Sequence, residues 1–163
     1  MDLLQRLLAH DRWAINVLFD TCSPLTDEQF DESFDIGHGN IHTTFAHIIV
    51  NVHYWTDSMK GQEIDRSDQD WARTNLQDRF KRAYDEFERF VVDVQRANRF
   101  DDTFVDNWDQ PQTYGAAILH VILHDDEHRQ EILHILNRLG VEHVPEIDHA
   151  LWDFARRGLF VPD

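Results

Sequence analysis

The sequence predicts an all-α protein, a four-helix bundle with a short helical tail at its C-terminus, and three observations carry that expectation. Four long segments place apolar residues at three- and four-residue spacing, glycine or proline punctuates their ends, and no convincing strand series is present. The 163 residues are expected to form one domain over 1–163, because 42% hydrophobic and 12% aromatic content supplies a sizeable core. Neither internal repeats nor low-complexity tracts interrupt the chain.

The first helix is expected from about Asp2 to Thr21, where Leu3, Leu4, Leu7, Leu8, Ala14, Ile15, Leu18 and Phe19 recur at helical spacing before Pro24. An acidic connector from Thr26 to Gly39 follows. The second helix should run from about Asn40 to Met59 and stop at Gly61, with Ile41, Phe45, Ile48, Val52 and Trp55 as its apolar stripe. The third is expected from about Ser67, as N-cap, to Ala97, burying Trp71, Leu76, Phe80, Ala83, Phe87, Phe90, Val91 and Val94. Phe100 to Gly115, β-branched, aromatic and containing Pro111, reads as an irregular or short extended connection. Thr113 then caps a fourth helix, from about Tyr114 to Leu139. After Pro145 a short helix is expected around Asp148 to Arg157, and the long connections permit a non-sequential helix order.

The 31 acidic and 15 basic residues give a formal charge of -16, which repels phosphate backbones and anionic lipid, so no nucleic-acid or membrane partner is expected. No apolar run approaches the ~20 residues of a membrane span. The start of the chain lacks the apolar run of a secretory signal, and the only cysteine, Cys22, has no internal disulfide partner, so a cytoplasmic location is the expectation. Cys22 reads as an ordinary small apolar residue at the end of the first helix. Leu119, Ile122, Leu123 and Leu133 make the fourth helix apolar on a second face, which points to a homodimer contact.

The chemistry sits in His124-Asp125-Asp126-Glu127-His128. Two histidines four apart point the same way on a helix, and Ala117, Val121, Ile132, Ile135 and Leu139 make their stripe otherwise apolar. Rings facing a core must be neutral, and each is then either hydrogen-bonded to a neighbour or bound to a metal ion. Both readings stand on the residues alone. A metal would need a third ligand from a facing helix, and His47, with Asn51, Tyr54 and Trp55 near it, is the best candidate, though ambiguous by itself.

The segment Thr44-Phe45-Ala46-His47-Ile48 with Trp55 and Gly61, together with Leu119 to Gln130 around His120, His124 and His128, resembles the DinB family of bacterial metal-binding helical bundles over nearly the whole chain. The resemblance implies a DinB-type bundle whose metal triad is His47, His124 and His128, with His120 matching a frequent histidine that is not a ligand. One departure is plain: the family motif commonly reads H-R-G-Q, whereas Arg129 is followed here by Gln130 and Glu131. Glu131 lies about 20° from His124 on the helical wheel, so it is a candidate outer-shell acceptor, general base or fourth ligand, against the bland alternative of a solvated glutamate.

Glu131 to His134 and Glu146 to His149 both satisfy the E-x-x-H pattern of di-iron bundles. His134 points about 80° away from His124, and the second match falls on the short tail, so that centre is not expected. His10, His38, His42, His53, His143 and His149 are expected to be surface or locally hydrogen-bonded residues.

Three neutral imidazoles suit Zn²⁺ or Ni²⁺, and also Fe²⁺, Mn²⁺ or Co²⁺, with positions left for water or substrate. Relatives of the family include thiol-dependent S-transferases and isomerases. The resemblance therefore implies transfer of a low-molecular-weight thiol to an electrophilic small molecule, with Asn51, Tyr54, Trp55 and Glu131 shaping the pocket. The alternatives are a metal-dependent hydrolase and a non-catalytic metal-binding stress-response protein in which the ion staples two helices.

Overall fold

The computed structural model describes residues 1–63 and 70–159. Its elements in order are α1 (Leu3–Cys22), α2 (Asp27–Phe30), α3 (Ile41–Lys60), α4 (Arg73–Arg96), β1 (Thr103–Val105), β2 (Pro111–Thr113), α5 (Tyr114–Arg138) and α6 (His149–Arg156). Three of the four long helices, α1, α3 and α5, start where their local chemistry dictates. Asp2 and Gln5 form a reciprocal capping box on α1, and the Asn40 and Thr113 side chains accept from the third backbone N–H of α3 and α5. Gly61, at φ +65°, ends α3 in the left-handed conformation that a side chain disfavours.

The helices form an all-α bundle in which α3 packs against α4 and α5, and α1 packs against the same two. Helices α1 and α3 thus occupy opposite corners, joined through the middle by Phe19 stacked on Phe45 with centroids 3.9 Å apart. This is the non-sequential order that the long connections permit. The stripe of α3 (Ile41, Phe45, Ile48, Val52, Trp55) is buried, as are Leu76, Phe80, Ala83, Phe87, Val91 and Val94 of α4. The connection after α4 is a two-stranded antiparallel hairpin pairing Thr103 with Thr113. Its turn is pinned by Asp106, which accepts from the backbone N–H of Trp108 and of Gln110. No described helix is long and apolar enough to cross a membrane.

Three expectations need correction. The third long helix begins at Arg73; the N-cap expected at Ser67 lies outside the described residues. Trp71 precedes that helix, because its carbonyl accepts from His42 and its ring lies under the Arg79 guanidinium, which holds the chain extended into Ala72. Part of the acidic connector forms the single turn α2, capped by Thr26. On α5, Ile122 is buried and Leu133 packs against the core, so the exposed apolar strip shrinks to Leu119 and Leu123.

One polar interaction runs through the interior. Asp11 stands in the apolar register of α1 and is fully buried; it accepts from Arg129 of α5, itself 2% exposed, and from the Tyr84 hydroxyl of α4 at 2.7 Å. Arg129 also donates to Asp126 at 2.7 Å. Burial lowers the Arg129 guanidinium to about 10, still charged at neutral pH, so the pair ties three helices at a fixed azimuth. Asp11→Ala leaves that charge buried without its partner. It should cost about 3–5 kcal/mol, a fall of roughly 10 °C in the midpoint of a thermal unfolding scan.

Candidate metal centre

His47 sits on α3 and faces α5, where His124 and His128 lie one turn apart. The Nε2 atom of His124 is 3.2 Å from Nε2 of His47 and 3.1 Å from Nε2 of His128. A neutral imidazole has one N–H and one lone pair. The His124 Nε2 can therefore satisfy one of these neighbours as donor or acceptor but not both, and the remaining approach is repulsive. Protonation offers little relief, because burial, followed by the neighbouring rings, lowers both His47 and His124 to about 4. A cation beside His124 Nε2 would relieve this by accepting the lone pairs left without a proton. Ligand bonds of about 2.0–2.1 Å at tetrahedral angles separate donor nitrogens by about 3.3 Å, close to the observed spacing. The residues fit a divalent metal.

A fourth ring stands beside them. His38, His47 and His128 each offer a nitrogen within 4.8 Å of the others, close enough to hold a metal. His38 is exposed, as expected, but its place beside the other histidines was not expected. The loop ahead of α3 folds back on itself, Phe34 donating to the Gly39 carbonyl and Gly39 to that of Ile36, and this turn delivers His38 against the bundle. The ring stacks on His47 with centroids 3.8 Å apart and meets His128 edge-on at 4.7 Å. The sequence signal was a histidine between two glycines just before a helix cap; Gly37 and Gly39 both have positive φ.

Glu131 reaches both sides of this cluster. Its Oε1 lies 3.2 Å from His128 Nδ1, and its Oε2 lies 3.5 Å from His38 Nδ1 and accepts from the His38 backbone N–H at 3.4 Å. Burial raises this carboxyl, but its contacts to His128 and His38 outweigh burial and leave it below the ordinary range. A carboxylate this near Nδ1 favours the tautomer with the proton there and the lone pair on Nε2.

The three expected pocket residues lie one to two turns along α3. Asn51 is buried beside Asp125, whose fully buried carboxyl is raised well above the ordinary range by desolvation, offset in part by the Asn51 amide. Trp55 is buried and packs against His120 at 4.9 Å, and His120 in turn lies 5.2 Å from His124. Tyr54 donates to Asn107 of the hairpin turn and faces Trp108, which is 65% exposed. A path of rings thus leads from His124 to the hairpin.

The other histidines behave locally. His10 donates to the Ile147 carbonyl at 2.7 Å, and His42 bridges Asp31 and the Trp71 carbonyl. Among the described residues His134 and His149 join no cluster able to hold a metal, so the E-x-x-H pairs form no second centre. Cys22 is buried, and burial pushes its thiol up to about 12, as befits a packing residue.

The DinB family model matches residues 1–154 of the chain, and no curated protein matches it.

Two outcomes follow from the geometry. In metal-free protein the unfolded chain protonates His47 and His124 below about 6.5, whereas the fold resists this down to about 4. The unfolded state binds more protons across that window, so stability should fall as pH drops from 6.5 to 4. Urea midpoints of chelator-treated protein should show this slope, and it should be shallower in His47→Gln. A Cβ at Gly37 would lie 2.0 Å from Cδ of Glu131, at a backbone φ of +42° that already disfavours a side chain. Gly37→Ala should therefore displace the Glu131 contact and weaken metal retention about tenfold, measured by competition with a chromogenic chelator.

Proposed function

The chain belongs to the DinB family, and from that premise we propose a metal-dependent enzyme in which His47, His124 and His128 hold one divalent ion and a small thiol is transferred to an electrophilic compound. The observation that carries this reading is the approach of three Nε2 atoms within 3.1 and 3.2 Å around His124. Zn²⁺ and Ni²⁺ lead, and Fe²⁺, Mn²⁺ and Co²⁺ suit the same nitrogen donors. An ion with free positions supplies Lewis acidity that brings a coordinated thiol or water toward deprotonation near neutral pH.

The protein's own groups do the rest. His47 and His124 stay neutral at physiological pH, so their lone pairs are available without displacing a proton. Glu131 orients His128 through Nδ1, and Arg129, locked to Asp11, fixes the rotation of the helix that carries both ligands. Trp55, His120 and Tyr54 offer apolar, planar surface for the body of a small substrate. No serine or cysteine nucleophile is needed, in keeping with the buried, raised thiol of Cys22.

A staple without catalysis is the second reading, and the packing argues against it. Phe45, Ile48, Val52, Val121 and Ile132 are fully buried, so α3 and α5 hold each other without help from an ion. Stripping the metal should lower the thermal midpoint by only a few degrees and leave the helical signal intact; collapse of the fold would favour the staple.

Elemental analysis of protein purified without a metal-chelating tag should find close to one ion per chain. His47→Ala, His124→Ala and His128→Ala should each lose it, together with turnover of a thiol and an electrophile. Normal turnover in His128→Ala would sink the enzyme reading.

A further inference from the structure

We infer that His38 is a cover on the metal centre and not a fourth ligand: it lies over His47, is clamped by Glu131, and closes the loop side of the ion. The inference rests on the ligand set proposed above.

Proximity alone would admit His38 as a ligand, since its nitrogen lies within 4.8 Å of those of His47 and His128. Ring orientation argues otherwise. An imidazole lone pair lies in the ring plane, and His38 is stacked on His47 at 3.8 Å with only 26° between the planes. Rings so nearly parallel aim their lone pairs along separate planes, so His38 and His47 would not converge on one ion as His47 and His128, inclined by 77°, would. His124 and His128, inclined to each other by 69°, have no such conflict.

The clamp is built from a single carboxylate. Oε1 of Glu131 faces His128 on its own helix, and Oε2 faces both Nδ1 and the backbone N–H of His38 on the loop. The contact needs Gly37, because the carboxylate fills the place where a Cβ would stand. A second tether lies one helical span away, where Arg138 pairs with Asp35 at 2.7 Å and lies over the Phe34 ring. Thr43 donates to the His38 carbonyl at 2.7 Å and fixes the far end of the loop. The His38 side chain keeps 33% of its surface exposed while His128 beneath keeps 8%, as expected of an outer ring shielding an inner one.

Zn²⁺-loaded protein mixed with excess 4-(2-pyridylazo)resorcinol tests this through the rate of ion loss, and Co²⁺-loaded protein through its visible spectrum. His38→Ala removes ring and nitrogen; His38→Phe keeps a ring but offers no ligand atom. Stripping should be about tenfold faster in His38→Ala and within about twofold of the parent in His38→Phe, with the Co²⁺ spectrum unchanged in both. A spectrum that shifts alike in both variants would make His38 a ligand and overturn the inference. So would an unchanged stripping rate in His38→Ala, or a rate in His38→Phe as fast as in His38→Ala. If the parent protein binds neither ion, the ligand set itself fails and the cover with it, whereas the other outcomes leave the ligand set standing.

Discussion

Imidazole nitrogens held close together with too few protons to share are the constraint that organises this molecule. Their arrangement is repulsive unless the rings stay neutral, are fixed from behind, and find a cation in front. The first two conditions have visible structural causes. Burial between α3 and α5 keeps His47 and His124 neutral, Glu131 holds His128 from its far nitrogen, and the Asp11–Arg129 pair sets the rotation of α5 against α1 and α4. The surrounding apolar packing makes these polar interactions strong by excluding water from them.

Much of the bundle was legible in the sequence because helix periodicity and punctuation are local. Asn40, Gly61 and Thr113 mark their helix ends by hydrogen bonds within a few residues, and the structure places all three there. The start of α4 was not legible. Its Ala72 has no capping side chain, and the segment before it is held by His42 and Arg79, partners a linear pattern does not reveal. The polar interior was not legible, because nothing local pairs Asp11 with Arg129, 118 residues later in the chain.

The site divides the same way. His124 and His128 declare themselves by their spacing, and His47 by its resemblance to a family motif. His38 does not, because its place depends on a loop conformation and on a carboxylate 93 residues later in the chain. Glu131 links the two cases. Its carboxylate faces His128 with one oxygen and His38 with the other, and its negative charge favours the tautomer of His128 with the proton on Nδ1. The departure from the family motif is thus concentrated where loop and helix meet.

The diagonal placement of α1 and α3 bears on how the protein comes into being at the ribosome. Apart from the Phe19–Phe45 stack, both helices rest on α4 and α5, which are synthesised later. The nascent chain therefore leaves both stripes only partly covered until the last long helix emerges, a topology that favours late closure over stepwise growth. That same helix brings His124 and His128 to His47, so the core and the histidine cluster are completed together. An incomplete chain has one helical histidine of the three and little with which to capture a metal prematurely.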